Sequence, residues 1–424
     1  MITIKYPSCA GLDVHKKFVM VCRLWVDGQG QTQKEKRKYA TMTADLEEMA
    51  SWLAEGGTTH VAMESSGVYW QPIYNILEGR FTIFLVNAQA IKRMPGRKTD
   101  IQDAEWIATL MQHGLLQASF IPDQQQRELR ELTRYRQSLV EERNRYANRL
   151  QKVLEGTNLK LASVVTDIQG LSAQMILRAI LAGEEDPERL AELAQRKLRN
   201  KRTELERALV GKLTAHHRFM LSQLLSQLDF LDEQITQIDT RIETQLGQMP
   251  PFQNAIHLLD TIPGVSSHLA TIIVAEIGVD MSRFPSDRHL TAWAGVAPGN
   301  NETGGKQRSG KTRKGNQYLQ RGLVIGAHAA ARTKQTYLHS LYARLAARRG
   351  RNRAAVAVAR TILQATYYML KRGETYQELG QDYLDQLDRD HTAKRLIRRL
   401  QAIGFIVEVR DQAHQYPSLL PMAA

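Results

Sequence analysis

The sequence predicts an α/β domain over residues 1–125, a helical coiled-coil region over 126–250, and a mainly α domain over 251–372 with a tail over 373–424. Three observations carry this. Before residue 125, short apolar runs alternate with helical stretches, which implies a layered sheet with helices packed on it. Between Leu221 and Ile242, apolar residues step by three and four, the mark of an a/d seam. After Pro250-Pro251, helical stretches flank a segment rich in glycine, lysine and arginine.

The first strand is the apolar run Cys9-Ala10-Gly11-Leu12-Asp13-Val14, with one acid inside it. Phe18 to Leu24 is a second strand, and Asp27-Gly28-Gln29-Gly30 is a turn signal. A helical segment near Leu46 to Leu53 precedes the strand His60-Val61-Ala62-Met63-Glu64, which also carries an acid at its end. Phe81 to Val86 is a further buried strand. Thr99 followed by Gln102 reads as a capping box, so a helix starts there. Asp100 and Asp103 then share one face of its first turn.

An acid at the end of a buried strand is costly unless a cation or partner compensates it. Asp13, Glu64, Asp100 and Asp103 fall at strand ends and a helix start, where α/β sheets place active sites. Their convergence suggests a divalent metal site for phosphoryl chemistry. Oxygen donors without a Cys/His cluster favour Mg²⁺ or Mn²⁺ over zinc. Asp100 and Asp103 also have a plainer reading, as acids that complement a helix dipole.

From Arg127 to about Gly247 the chain reads as long charged helices. Leu221, Leu224, Leu228, Leu231, Ile235, Ile238 and Ile242 form the seam. Leu129, Leu132, Leu139, Tyr146, Leu150 and Val153 keep the same rhythm, with Arg136 and Arg143 on that seam. Sustained heptads predict a dimerising coiled coil; the alternative is a helical hairpin packed only on itself.

Thr261-Ile262-Pro263-Gly264-Val265, between helical stretches, resembles a helix-hairpin-helix turn, either a phosphate-facing backbone or plain structure. Beyond Pro298 comes a loop in which Gly299, Gly304, Gly305, Gly310 and Gly315 interleave with Lys306, Arg308, Lys311, Arg313 and Lys314. Glycine lets backbone approach a phosphate and the cations neutralise it; a disordered basic loop is the alternative. Arg97 and Lys98 add cations beside the acids.

The net charge is +13, and residues 283–360 hold sixteen Lys or Arg against Asp287 and Glu302. A basic block this concentrated points to nucleic acid. Cys9 and Cys22 are expected as reduced, buried thiols. The start shows no signal-peptide pattern and no stretch approaches a membrane span, so a cytoplasmic, nucleoid-associated protein is expected.

Gly11-Leu12-Asp13-Val14-His15-Lys16, Glu64-Ser65-Ser66-Gly67-Val68-Tyr69-Trp70 and Pro95 to Ala104 resemble the N-terminal half of DEDD-type transposases of the "IS one-ten" insertion-sequence family, which are RNA-guided recombinases. Thr261-Ile262-Pro263-Gly264 and Ala294 to Asn301, through Lys314-Gly315-Asn316, resemble its C-terminal transposase domain. The resemblance implies a RuvC-like (RNase H-like) domain carrying Asp13, Glu64, Asp100 and Asp103, then a coiled coil, then a domain with a serine nucleophile. It also implies a structured guide RNA that pairs with donor and target DNA. One position departs: the spacing from Pro298 that leads to the family serine lands here on Thr303, and Ser309 is the nearest serine.

The resulting expectation is a Mg²⁺- or Mn²⁺-dependent DNA recombinase working as a homo-oligomer, a dimer or a tetramer on DNA. Thr303, or Ser309, forms a covalent ester with DNA, and no P-loop implies no ATP. The competing readings are a RuvC-like hydrolytic nuclease or Holliday-junction resolvase, and a non-enzymatic nucleic-acid scaffold.

Overall fold

A computed structural model describes residues 3–65, 67–87, 91, 103–299, 301–303, 306–387 and 389–408, with only the backbone course for 301–303 and 306–309. The chain divides into two compact units, residues 1–123 and 124–424.

The first unit runs β1 (Ser8–Val14), β2 (Phe18–Val26), β3 (Thr32–Ala40), α1 (Thr43–Glu55), β4 (His60–Glu64), α2 (Trp70–Leu77), β5 (Thr82–Val86) and α3 (Asp103–Gln112). Its sheet has the order β3-β2-β1-β4-β5. The first three strands form an antiparallel meander, while β4 and β5 run parallel to β1. Alternating side chains give the sheet two apolar faces. Ala10, Leu12, Val21, Val61 and Met63 meet α1 and α2 through Leu46, Met49, Leu53 and Ile73. Cys9, Cys22, Ala62 and Val86 meet α3 through Ala104, Ile107, Ala108 and Met111. The helix lies so close to β1 that a Cβ on Gly11 would stand 2.3 Å from both the Ala104 carbonyl and the Ala108 amide nitrogen.

Two elements had no counterpart in the sequence reading. The strand β3, Thr-Gln-Lys-Glu-Lys-Arg-Lys-Tyr-Ala, buries Tyr39 and exposes nearly all its other side chains, so it lacks an apolar run. It sits at a sheet edge, where charge discourages further pairing. The short α2 buries Ile73 and Leu77. The expected capping box at Thr99 and Gln102 lies outside the described residues. Both thiols are free and buried; burial pushes Cys9 up to about 12 and Cys22 up to about 11.

The second unit is helical. Its long α4 (Gln124–Gly156) is followed by short helices between residues 161 and 208, then α5 (Ala215–Gly247). Next come α6 (Pro250–Asp260), α7 (Ser267–Ile277), α8 (Asp287–Trp293), the strands β6 (Asn301–Thr303) and β7 (Lys306–Ser309), α9 (Gln317–Ala330), α10 (Tyr337–Arg349) and α11 (Arg351–Arg372). Short helices at Tyr383–Leu387 and Arg389–Ala402 follow.

Much of the seam is covered within the chain, while Ile235 and Ile238 remain half-buried. Arg136 pairs with Asp239 and Arg143 with Asp232, so α4 and α5 run antiparallel, with both seam arginines matched to acids on the facing helix. Leu221, Leu224, Leu228, Leu231 and Ile242 are buried. A heptad pattern specifies an apolar stripe but not which chain covers it. One hydrophobic core spans residue 250. Leu129 of α4 and Ile242 and Leu246 of α5 share one core with Leu259, Ile273, Leu323 and Ile362. The other end of the hairpin forms a second core with the short helices, through Leu150, Leu154, Ile176, Leu205 and Leu221.

Replacing Leu221, which is fully buried, with Ala should cost roughly 2–5 kcal/mol. A lower urea midpoint at unchanged slope would show it. Gly11→Ala should cost about 1–3 kcal/mol or more, because the new methyl meets backbone that cannot rotate away. An unchanged melting temperature would mean that α3 does not lie against β1.

Candidate active site

Asp13 and Glu64 end up together because of strand direction and parity. The strands β1 and β4 are parallel neighbours, paired Gly11 to Ala62 and Leu12 to Met63. Asp13 and Glu64 follow directly on the last of these pairs, at the ends of neighbouring strands. Asp13 shares a face with Cys9 and Gly11, and Glu64 with His60 and Ala62. That face is the one α3 covers. The helix begins at Asp103, and its next residue, Ala104, lies over Gly11. Asp13 and Glu64 thus lie near the ends of adjacent strands on the face that α3 covers, and Asp103 begins that helix. Asp13 and Glu64 are half-buried there and Asp103 is exposed. Asp100, Arg97 and Lys98 lie outside the described residues.

Sequence reasoning passed over His15. Its Nε2 lies 3.0 Å from Asp13 Oδ2, a hydrogen bond in which the carboxylate accepts. The signal was available: an Asp and a His two residues apart, straddling a strand end, can reach each other across a tight turn. That turn is closed here by the His15 amide donating to the Phe18 carbonyl. Glu105, in the first turn of α3, serves a different purpose. Lys34 and Lys36 of β3 reach it at 2.8 and 2.5 Å. Their hydrogen bonds, Lys34's first, hold its carboxyl below the usual carboxylate range. It ties the helix start to the sheet.

The donor chemistry at this corner, carboxylate oxygens on adjacent strand ends, suits a hard divalent cation. Among the described residues, no three His, Cys, Asp or Glu side chains close around a single point. A complete shell would need a further donor, such as the predicted Asp100.

The segment beyond Pro298, expected as a loop, contains an antiparallel hairpin. The pairs are Asn301 with Ser309, Glu302 with Gln307 and Thr303 with Lys306, with an irregularity after Asn301. Thr303 is the last residue of β6 and pairs with Lys306, whereas Ser309 pairs with Asn301 at the far end. Lys306 and Arg308 belong to β7, and Lys311, Arg313 and Lys314 follow as exposed cations.

The foot of this hairpin is tightly held. Gly295 and Gly315 cross in backbone contact: a Cβ on Gly315 would stand 2.3 Å from the Gly295 amide nitrogen. Asn316 caps α9, its Oδ1 accepting from the amides of Tyr318 and Leu319 at 3.1 Å. Its Nδ2 donates to Glu276 Oε2 at 2.6 Å. Glu276 is fully buried, and Arg134 donates to both its oxygens, at 2.7 and 2.8 Å. Arg130 adds a contact at 3.3 Å, and its own burial brings its guanidinium down to about 10.

The Thr261 to Val265 turn is used for packing. The Ile262 and Val265 amides bond to the Leu259 and Ile262 carbonyls. Gly264, at φ +86°, leaves no room for a Cβ against the backbone of Gly326 and Ala330 in α9.

Among the described residues no helix is long and apolar enough to cross a membrane. Residues 10–159 match a family model described as "Transposase", of the DEDD insertion-sequence type, and residues 256–343 match one described as "Transposase IS116/IS110/IS902 family". The chain is 25% identical to a "Probable family 20 transposase" of Pseudomonas aeruginosa over 75% of its own length and 85% of that protein. It is 31% identical to the "Transposase for insertion sequence element IS1111A" of Coxiella burnetii over 39% of the chain and 45% of that protein. A relative from Streptomyces coelicolor, "Insertion element IS110 uncharacterized 43.6 kDa protein", is 27% identical over 67% of the chain and 73% of its own length. The two matched segments together cover more than half of the chain and contain the acid corner and the basic hairpin, and the chain belongs to the IS110-type transposases, enzymes of insertion-sequence transposition.

Proposed function

We propose that this transposase cuts and exchanges DNA strands through a covalent protein–DNA ester, with a RuvC-like first unit whose acids hold Mg²⁺ or Mn²⁺. The observation that supports the reading is that Asp13 and Glu64 lie at the ends of adjacent parallel strands, on the sheet face against which α3, starting at Asp103, packs at Gly11. Those acids, with Asp100, would hold the metal. When bound, it would neutralise charge on the phosphoryl oxygens of the scissile phosphate. His15 orients the Asp13 carboxylate through their hydrogen bond.

Thr303 is the proposed nucleophile. Its hydroxyl attacks phosphorus; one P–O bond to threonine forms, one P–O bond to a sugar breaks, and the hydroxyl proton ends on the departing sugar oxygen. A sugar hydroxyl from another strand then reverses the step and releases the protein. The number of phosphate ester bonds is unchanged, so no ATP is required. Placement beside the hairpin turn supports Thr303 over Ser309. The exposed Lys311, Arg313 and Lys314, with Lys306, Arg308, Arg97 and Lys98, supply counter-charge for phosphates. A structured RNA encoded by the element would choose the DNA by base pairing. Joining two DNA partners needs more than one set of cutting groups, which supports a homo-oligomer, a dimer or tetramer. The organisation proposed for the chain remains catalytic acids before residue 125 and the transposase segment after 250.

Asp13→Ala, Glu64→Ala and Asp103→Ala should each lower strand exchange in Mg²⁺ by at least about 10²-fold, the scale of losing one electrostatic stabiliser, with melting curves intact. Near-wild-type exchange by any variant would remove that residue from the site. Thr303→Ser should retain activity, and Thr303→Ala should abolish the adduct while DNA binding persists. Peptide mapping of a trapped complex decides it: an adduct on Ser309 overturns the assignment, and no adduct in an active enzyme establishes the hydrolytic alternative. Neutralising Lys311, Arg313 or Lys314 should reduce the salt dependence of DNA binding by about one unit of slope per lost contact. A change confined to target preference would instead mean that the segment reads bases.

A further inference from the structure

We propose that Glu276 and Asn316 are positioning residues, which fix the foot of the β6–β7 hairpin and through it the placement of Thr303; the inference rests on the reading of Thr303 as nucleophile. A carboxylate with no solvent exposure needs several donors, and Glu276 draws them from two distant parts of the second unit. Arg134 and Arg130 come from α4, and Asn316 comes from the point where the basic segment re-enters the helical core. Both ends of the Asn316 side-chain amide are engaged: its oxygen caps α9 and its nitrogen holds Glu276. The other leg of the segment is fixed at Gly295, whose carbonyl accepts from Gln320 Nε2 at 3.1 Å. The Asn316 amide also lies 3.4 Å from the Trp293 carbonyl. Both legs are thus pinned within one turn of α9, and only twelve residues of chain separate Thr303 from Asn316. A shift at the foot moves the tip.

The role is separable from helix capping. Asn316→Asp keeps the oxygen that accepts from Tyr318 and Leu319, and aspartate is itself a good N-cap. It replaces the donor to Glu276 with a second carboxylate at 2.6 Å, so the cap survives and the tie does not.

The experiment uses the full chain and a DNA substrate, with single-turnover cleavage, DNA binding and amide hydrogen exchange over residues 301–315 as readouts. Asn316→Asp should slow cleavage by about 10²-fold, the scale of a misplacement near 1 Å, leave DNA affinity unchanged, and speed exchange in the hairpin. If Asn316→Asp does not fold, Asn316→Ser takes its place, since serine caps but is too short to reach Glu276. Wild-type cleavage and exchange in the variant overturn the proposal, as does faster exchange with wild-type cleavage. Thr303→Ala is run alongside: if it cleaves normally, the nucleophile assignment fails, and hydrogen exchange alone then judges the tie.

Discussion

Glu276 sits where no water can share its charge, and a buried carboxylate left unpaired would cost several kcal/mol. The second unit is arranged around meeting that demand. The long helix α4 must run where Arg130 and Arg134 reach the carboxylate, which sets the position of one arm of the antiparallel hairpin on the transposase core. The start of α9 must lie where Asn316 completes the shell. Arg134 also stacks on the Tyr318 ring at 4.6 Å, so the same guanidinium holds the first turn of α9. Removing one partner of such a group is far more damaging than never having built it, which makes this network a fixed point from which the basic hairpin projects.

The first unit works by a different constraint, that of direction. Parallel strands deliver their last residues to one edge, and parity delivers them to one face. An acid at the end of β1 and another at the end of β4 are therefore neighbours without any contact between them being required. Gly11 adds the third acid, since only a residue without a side chain lets α3 start directly over the strand. The separation of duties within that helix is informative. Glu105 is engaged by two lysines and anchors the helix, while Asp103, two residues earlier, is exposed at the helix start.

What the sequence made legible follows from which residues carry strong local signals. The strands β1, β2, β4 and β5 and the helices α1 and α3 are apolar enough to stand out, and the acids within them were readable because an acid in a buried run is conspicuous. The strand β3 was invisible, since seven of its nine residues gain nothing from burial and its structure comes from pairing with β2. The heptads revealed the stripe but not its partner, because the matching acids, Asp232 and Asp239, lie about a hundred residues from Arg143 and Arg136. His15 and Glu276 were missed for related reasons. A lone polar residue announces a role only once its neighbour in space is known, and for Glu276 the neighbours are 142 and 40 residues away.

The two cysteines have a practical consequence. Both lie under α3 with thiols pushed well above neutral pH, and a protonated, enclosed sulfur is a poor nucleophile toward alkylating reagents. The native chain therefore behaves toward maleimide chemistry as though it were cysteine-free. A single thiol introduced on an exposed helix could carry a fluorophore or spin label with the natural pair left in place, so that motions of this transposase become observable without first rebuilding its core.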